Sequence, residues 1–109
     1  MAVPTQARAC EYFNYDPETG ELTYRERDEA SFVNEATYAR HLDRVGKPAG
    51  SRNADGYVKV HMGFGQYCLA HKIIWLMMTG EWVAYPKHEI DHINGKRDDN
   101  RWVNLRKGT

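Results

Sequence analysis

One stretch dictates more of this fold than any other. From His71 to Thr79 the chain reads His-Lys-Ile-Ile-Trp-Leu-Met-Met-Thr, and Gly80 follows. A helix apolar on nearly every side has to be buried, so the other elements must wrap around it, with Gly80 as its terminator. The tryptophan and the two methionines read as core there, not as a ligand box. At 109 residues the chain has material for one domain, and little for a second.

Around that helix the pattern alternates between short strands and turns. Thr5 to Phe13 is helix-friendly. Asp16-Pro17 and Gly20 make a turn between Tyr15 and Leu22-Thr23-Tyr24, which reads as a hairpin. Ser31 is placed to cap a helix running to Val45, with Phe32, Ala36, Ala39 and Leu42 on one stripe and Gly46 as stop. Its other face carries Glu35, Arg40, Asp43 and Arg44, a solvated mixture without an assigned role. Gly46 to Gly56 is a loop with room for one short strand. Tyr57-Val58-Lys59-Val60-His61-Met62 alternates cleanly, Gly63-Phe64-Gly65 turns, and Gln66 to Leu69 returns. Further on, His88 to Ile93 reads as a short strand running into Asn94-Gly95, and Trp102 to Arg106 as a second. The expected class is α+β: a small antiparallel sheet, a central buried helix and a C-terminal ββ unit. An N-terminal leader (1–45) and a C-terminal half (46–109) share one compact domain.

No run approaches the roughly 18 apolar residues of a membrane span, and Met1 to Arg8 lacks the apolar stretch of a signal peptide. Cys10 and Cys68 make neither a disulfide framework nor a metal knuckle, which suits a reducing cytoplasm. The 15 basic and 15 acidic residues cancel, yet not uniformly. Met1 to Val45 carries 5 basic and 9 acidic residues, and Gly46 to Thr109 carries 10 and 6. A zero sum therefore does not exclude a polyanionic partner on the basic side.

The densest chemistry is Asp91-His92 at a strand end, followed by Asn94, Asn100 and Asn104. Phosphodiester hydrolysis needs a cation to neutralise the phosphate and a base to activate water. A carboxylate is a hard ligand for Mg²⁺ or Mn²⁺, and a histidine can take a proton near neutral pH. Neighbours on a strand point to opposite faces, so serving one site would require a distortion at the strand end.

The segment Ala70 to Trp82, followed by Ile90-Asp91-His92-Ile93-Asn94-Gly95 and Asp99-Asn100-Arg101-Trp102-Val103-Asn104-Leu105-Arg106, resembles the phage-type HNH endonucleases. These are small ββα-metal nucleases, many of them homing enzymes. Tyr15 to Tyr24, Gly46 to Gly50 and Gly56-Tyr57 match the usual leader of that family; the helix at 31–45 does not. The resemblance implies Asp91 as ligand of a single divalent metal, His92 as general base, and Asn104 as the middle letter that ties the loop and orients the histidine. It also implies double-stranded DNA as partner, with Lys59, Lys72, Lys96, Arg97, Arg101 and Arg106 as candidate DNA contacts. Asn94 and Asn100 are read as loop-shaping, and His71 as a packing or hydrogen-bonding residue.

The motif's third letter lies on a helix about two turns beyond the Asn-Leu-Arg element. After Arg106 the sequence holds Lys107, Gly108 and Thr109. Three explanations follow: a trimmed active nuclease, a non-catalytic module such as a phage-encoded inhibitor, or a ligand supplied by His71, His88 or a second subunit. A protein partner or a homodimer would cover the face such a helix otherwise fills, around Trp75, Trp82 and Trp102.

Overall fold

The computed structural model describes residues 4–61, 67–83 and 89–108. The expected turn at 63–65 and His88 lie outside these residues. The chain runs through α1 (Gln6–Tyr12), β1 (Phe13–Tyr15), β2 (Leu22–Tyr24), α2 (Glu35–Arg44), β3 (Ser51–Arg52), β4 (Val58–His61), β5 (Tyr67–Leu69), α3 (Ala70–Thr79), β6 (Glu89–His92) and β7 (Leu105–Gly108). The class is α+β. The strands form three small antiparallel sheets, β1-β2, β3-β4-β5 and β6-β7, matching the expected hairpin, small sheet and C-terminal ββ unit.

The apolar run is where burial is deepest: Ile73 and Ile74 are completely enclosed. Ala9 and Phe13 from the leader, Val60 from β4, and Ile90 and Leu105 from β6 and β7 close around them in a single core. Gln6 ties α1 to the far end of α3, its Nε2 donating to the Met77 carbonyl at 3.0 Å. Trp102 stacks on Trp75 with ring centroids 5.1 Å apart, fastening the C-terminal hairpin to the same helix. Each strand pair is short and would be marginal alone; their apolar faces gain stability from this shared helix.

Two elements depart from the sequence expectation. The helix at 31–45 does not start on Ser31. Glu29–Ser31 is a single 3-10 turn, and Asn34 caps α2, its side-chain oxygen accepting from the Thr37 amide at 2.9 Å. Nor does the Phe32–Ala36–Ala39–Leu42 stripe face the core. Leu42 is 44% exposed, and the buried residue of α2 is His41, at 7%. Two alanines offer little area to bury, whereas the His41 ring packs on Phe32 with centroids 4.7 Å apart. The second departure is at the C-terminus. Trp102–Asn104 is a 3-10 turn, and the strand expected over 102–106 runs instead from Leu105 to Gly108.

The β1-β2 turn reaches across to the loop between β6 and β7. Trp102 N donates to the Pro17 carbonyl at 3.0 Å, and the Tyr15 hydroxyl donates to the Asn100 carbonyl at 2.6 Å. Gly20, with φ +81°, lies so close that a Cβ would collide with the backbone of Asn100 and Arg101. Gly46 has a similar φ, +79°, with open space beside it. Gly46→Ala should therefore cost only the left-handed backbone penalty, about 1–2 kcal/mol. Gly20→Ala should cost clearly more, because the backbone contact must also open. Thermal melts of the two variants test this; equal losses of Tm would show that the turn does not press on the loop.

Candidate active site

β6 pairs with β7 in a register that sets Asp91 opposite Arg106 and His92 opposite Leu105. Ile90 and Leu105 turn into the core and hold the hairpin, leaving Asp91 and His92 half-buried at its end. His92 is the last residue of β6, and its carbonyl accepts from Gly95 N at 3.0 Å in the turn that follows. Both side chains reach one open cleft of about 470 Å³, whose walls include Tyr57, His71, Lys72, Arg97 and Arg106.

The His92 ring is held by Asn100. Its Nε2 lies 2.8 Å from Asn100 Oδ1; an amide oxygen only accepts, so Nε2 is the donor of that bond, and the acceptor nitrogen of a neutral ring is Nδ1. Asn100 is only 3% exposed, and its own carbonyl takes the bond from Tyr15. Burial, followed by the nearby charges of Asp16 and Asp99, pushes the Tyr15 hydroxyl up to about 12, so it stays a donor. Asn104 does not reach the ring. It binds the loop instead: its Oδ1 accepts from Asn94 N at 2.9 Å, and its Nδ2 donates to Asn94 Oδ1 at 3.0 Å and to the Asp99 carbonyl at 2.8 Å. The side chain hydrogen-bonded to the histidine is thus Asn100, which the sequence reads as loop-shaping.

His71, at the start of α3, lies edge-on to His92 with centroids 4.8 Å apart and against Tyr57 at 5.3 Å. It is 4% exposed, and its Nδ1 has no hydrogen-bond partner among the described residues. Burial first, and then the neighbouring His92 and Lys72, lower its pKa to about 3, so the ring is neutral. Tyr57 in turn stacks under the Arg97 guanidinium at 4.9 Å, while Arg97 Nη1 donates to the Asp55 carbonyl at 2.8 Å.

The cationic candidates divide. Lys72, Arg97 and Arg106 line the cleft, and Arg106 lies 3.7 Å from the Asp91 carboxylate. Gly108 permits that arrangement, since a Cβ there would sit 2.6 Å from Asp91 Oδ2. Lys59, Lys96 and Arg101 are not among the described residues of the cleft wall. Lys59 lies over the Tyr67 ring. Arg101 holds Asp99 in a two-pronged pair, Nε and Nη2 each donating at 2.8 Å. That pair, aided by Asn94, holds the Asp99 carboxyl well below the usual range.

No three His, Cys, Asp or Glu side chains among the described residues gather as a metal-holding group. The donor chemistry nevertheless suits a hard divalent cation. Mg²⁺ is commonly bound by one or two carboxylates with water and substrate phosphate completing its shell, and Asp91 offers one carboxylate at an open cleft.

The sequence model of the HNH endonuclease family matches residues 68–109, the part that contains α3, β6 and β7. The fold is similar to a solved structure described as DNA binding and cleavage by the HNH homing endonuclease I-HmuI, at 19% identity and a TM-score of 0.54. The likeness covers 90% of this chain and 47% of that one, so this chain spans about half its length. No curated protein matches. No helix among the described residues is long and apolar enough to cross a membrane.

The buried neutral His71 makes stability sensitive to acid. In the unfolded chain it takes a proton near 6.5, but in the fold only near 3. Below pH 6.5 the unfolded state therefore binds more protons, and stability falls as pH drops through that window. Denaturant unfolding at pH 7 and pH 4 should show a smaller acid loss for His71→Leu than for the wild type; an equal loss would rule out His71 as a contributor.

Proposed function

Residues 68–109 match the sequence model of the HNH endonuclease family, and on that premise we propose that the chain is a DNA endonuclease of phage type that hydrolyses phosphodiester bonds with one divalent metal. The observation that carries this reading is the cleft into which Asp91 and His92 both open, walled by Lys72, Arg97 and Arg106. Asp91 is the hard oxygen donor for Mg²⁺ or Mn²⁺, which when bound would neutralise charge on the scissile phosphate. Lys72, Arg97 and Arg106 draw and seat the DNA backbone, the term that supplies most sequence-independent affinity.

His92 serves as general base. With Nε2 held by Asn100, Nδ1 faces its task as acceptor. It takes a proton from water as the water oxygen forms its bond to phosphorus and the leaving oxygen departs, to be protonated by solvent. Asn104 works one step back, keeping the loop closed. The Asp91-His92-Ile93-Asn94-Gly95 and Asn104-Leu105-Arg106 strings support the phage group, and with it action in the cytoplasm of a bacterial host.

A second reading is favoured by one contact. The Arg106 guanidinium beside Asp91 occupies the carboxylate with an internal cation. An arrangement of that kind suits a non-catalytic module that binds DNA or a protein partner, including a second copy of the chain.

Plasmid nicking with Mg²⁺ or Mn²⁺ separates the two. The enzyme reading expects metal-dependent nicking by the wild type, lost by about 10²-fold or more in His92→Ala, the scale of general-base catalysis. Asn100→Ala should lower kcat more than it raises KM, because it frees the ring without touching DNA. DNA binding without any metal-dependent cleavage would select the binding module.

A further inference from the structure

The helix that received no role from the sequence builds a second cationic surface. On α2, Thr37, Arg40, His41 and Arg44 follow the i, i+3, i+4, i+7 spacing of one helix face, and all four line one pocket of about 280 Å³. Glu35 falls on the opposite side of the same helix, and Asp43, three residues on from Arg40, lies at the flank of this face.

Arg27 completes the pocket from the strand side. Its guanidinium is sandwiched, 4.1 Å from the Tyr12 ring centroid and 4.7 Å from that of Phe32. Stacking of this kind fixes the plane of the group and leaves its edge donors available for in-plane bonds to an oxyanion. None of Arg27, Arg40 and Arg44 forms an ion pair with a described residue, and no carboxylate lines the pocket among its described residues. The C-terminal dipole of α2 accounts for Arg44 alone; it does not explain why Arg27 and Arg40 converge on the same space. Like charges gathered without an internal partner repel one another unless an anion joins them.

We propose that this pocket seats a backbone phosphate of the DNA, outside the cleft of Asp91 and His92, so that α2 acts as a second, sequence-independent anchor. The inference rests on the DNA reading above. It makes the arginine-rich face of the leader a part of the DNA footprint although that half of the chain is acidic in sum. His41 reports on the site: burial, and next Arg27, lower its pKa, with Glu26 opposing and Arg44 adding to the depression. A phosphate held between those arginines would raise it.

The test compares the wild-type chain with the double variant Arg40→Gln/Arg44→Gln, both exposed positions on α2. Duplex binding is followed by fluorescence anisotropy across a salt series. Loss of one phosphate contact should flatten the slope of log K against log[salt] by about 0.9, with cleavage by the bound complex unchanged. In parallel, NMR titration of His41 in the wild type should show its pKa rising when duplex is added. Steep wild-type binding with an unaltered slope in the variant, or a His41 pKa indifferent to duplex, overturns the anchor and leaves the DNA reading standing. A His41 response to inorganic phosphate but not to duplex overturns it in favour of a small-anion site. No DNA binding by the wild type overturns both readings together.

Discussion

The loop of the C-terminal hairpin depends on a knot of amide hydrogen bonds. Between β6 and β7 the chain makes a twelve-residue excursion, 93–104, whose charged and polar residues are mostly exposed. Asn104, at its end, closes it by using its oxygen and its amide nitrogen on partners from the start and the middle of the excursion. A buried amide satisfied in this way is worth far more in place than the net gain of any one bond, since truncation strands Asn94 and Asp99 groups that were paired. Asp99 then serves twice more, as acceptor for Arg101 and for Asn94. With the loop shape so fixed, Asn100 arrives at His92 Nε2, and the register that opposes Asp91 to Arg106 is preserved.

The leader is part of the same device. Tyr15 and Pro17 bond to the backbone at Asn100 and Trp102, so the first hairpin supports the residue that holds the histidine. The route from β1 to the His92 ring runs through two hydrogen bonds, of 2.6 Å and 2.8 Å, and one glycine that lets the chains touch. A shift at the N-terminal turn would therefore be felt at the base through Asn100, without crossing the core.

Patterns of period and punctuation were legible in the sequence: the buried helix of α3, the alternation of β4, the Asp-Pro…Gly turn after β1, and the short first helix. Each rests on residues acting within a few positions of themselves. Tertiary contacts were not legible. The start of α2 went to Asn34 because an asparagine offers the cap without Ser31's help. The face of α2 was decided by ring packing of His41 on Phe32, against two alanines with little to bury. Trp102–Asn104 coils into a 3-10 turn because Trp102 must reach both the Pro17 carbonyl and the Trp75 ring. Of the site, Asp91 and His92 stood out as a pair, whereas the role of Asn100 could not: its partner is eight residues away across a loop whose shape the sequence does not announce.

Charge tells a similar story of placement over quantity. The sum of zero conceals a basic C-terminal half, and the acidic leader conceals a face of α2 on which Arg40 and Arg44 point into a pocket shared with Arg27. Electrostatic attraction to a polyanion falls off within a Debye length of about 8–10 Å at physiological salt. What a DNA backbone meets is therefore the local arrangement of guanidinium and ammonium groups, not the net charge of either half. Glu35, on the far side of α2, does not face that surface. Two cationic surfaces, one around Asp91 and His92 and one on α2, are then compatible with a neutral chain. Their cooperation in binding requires only that both meet the same strand or its complement along one duplex.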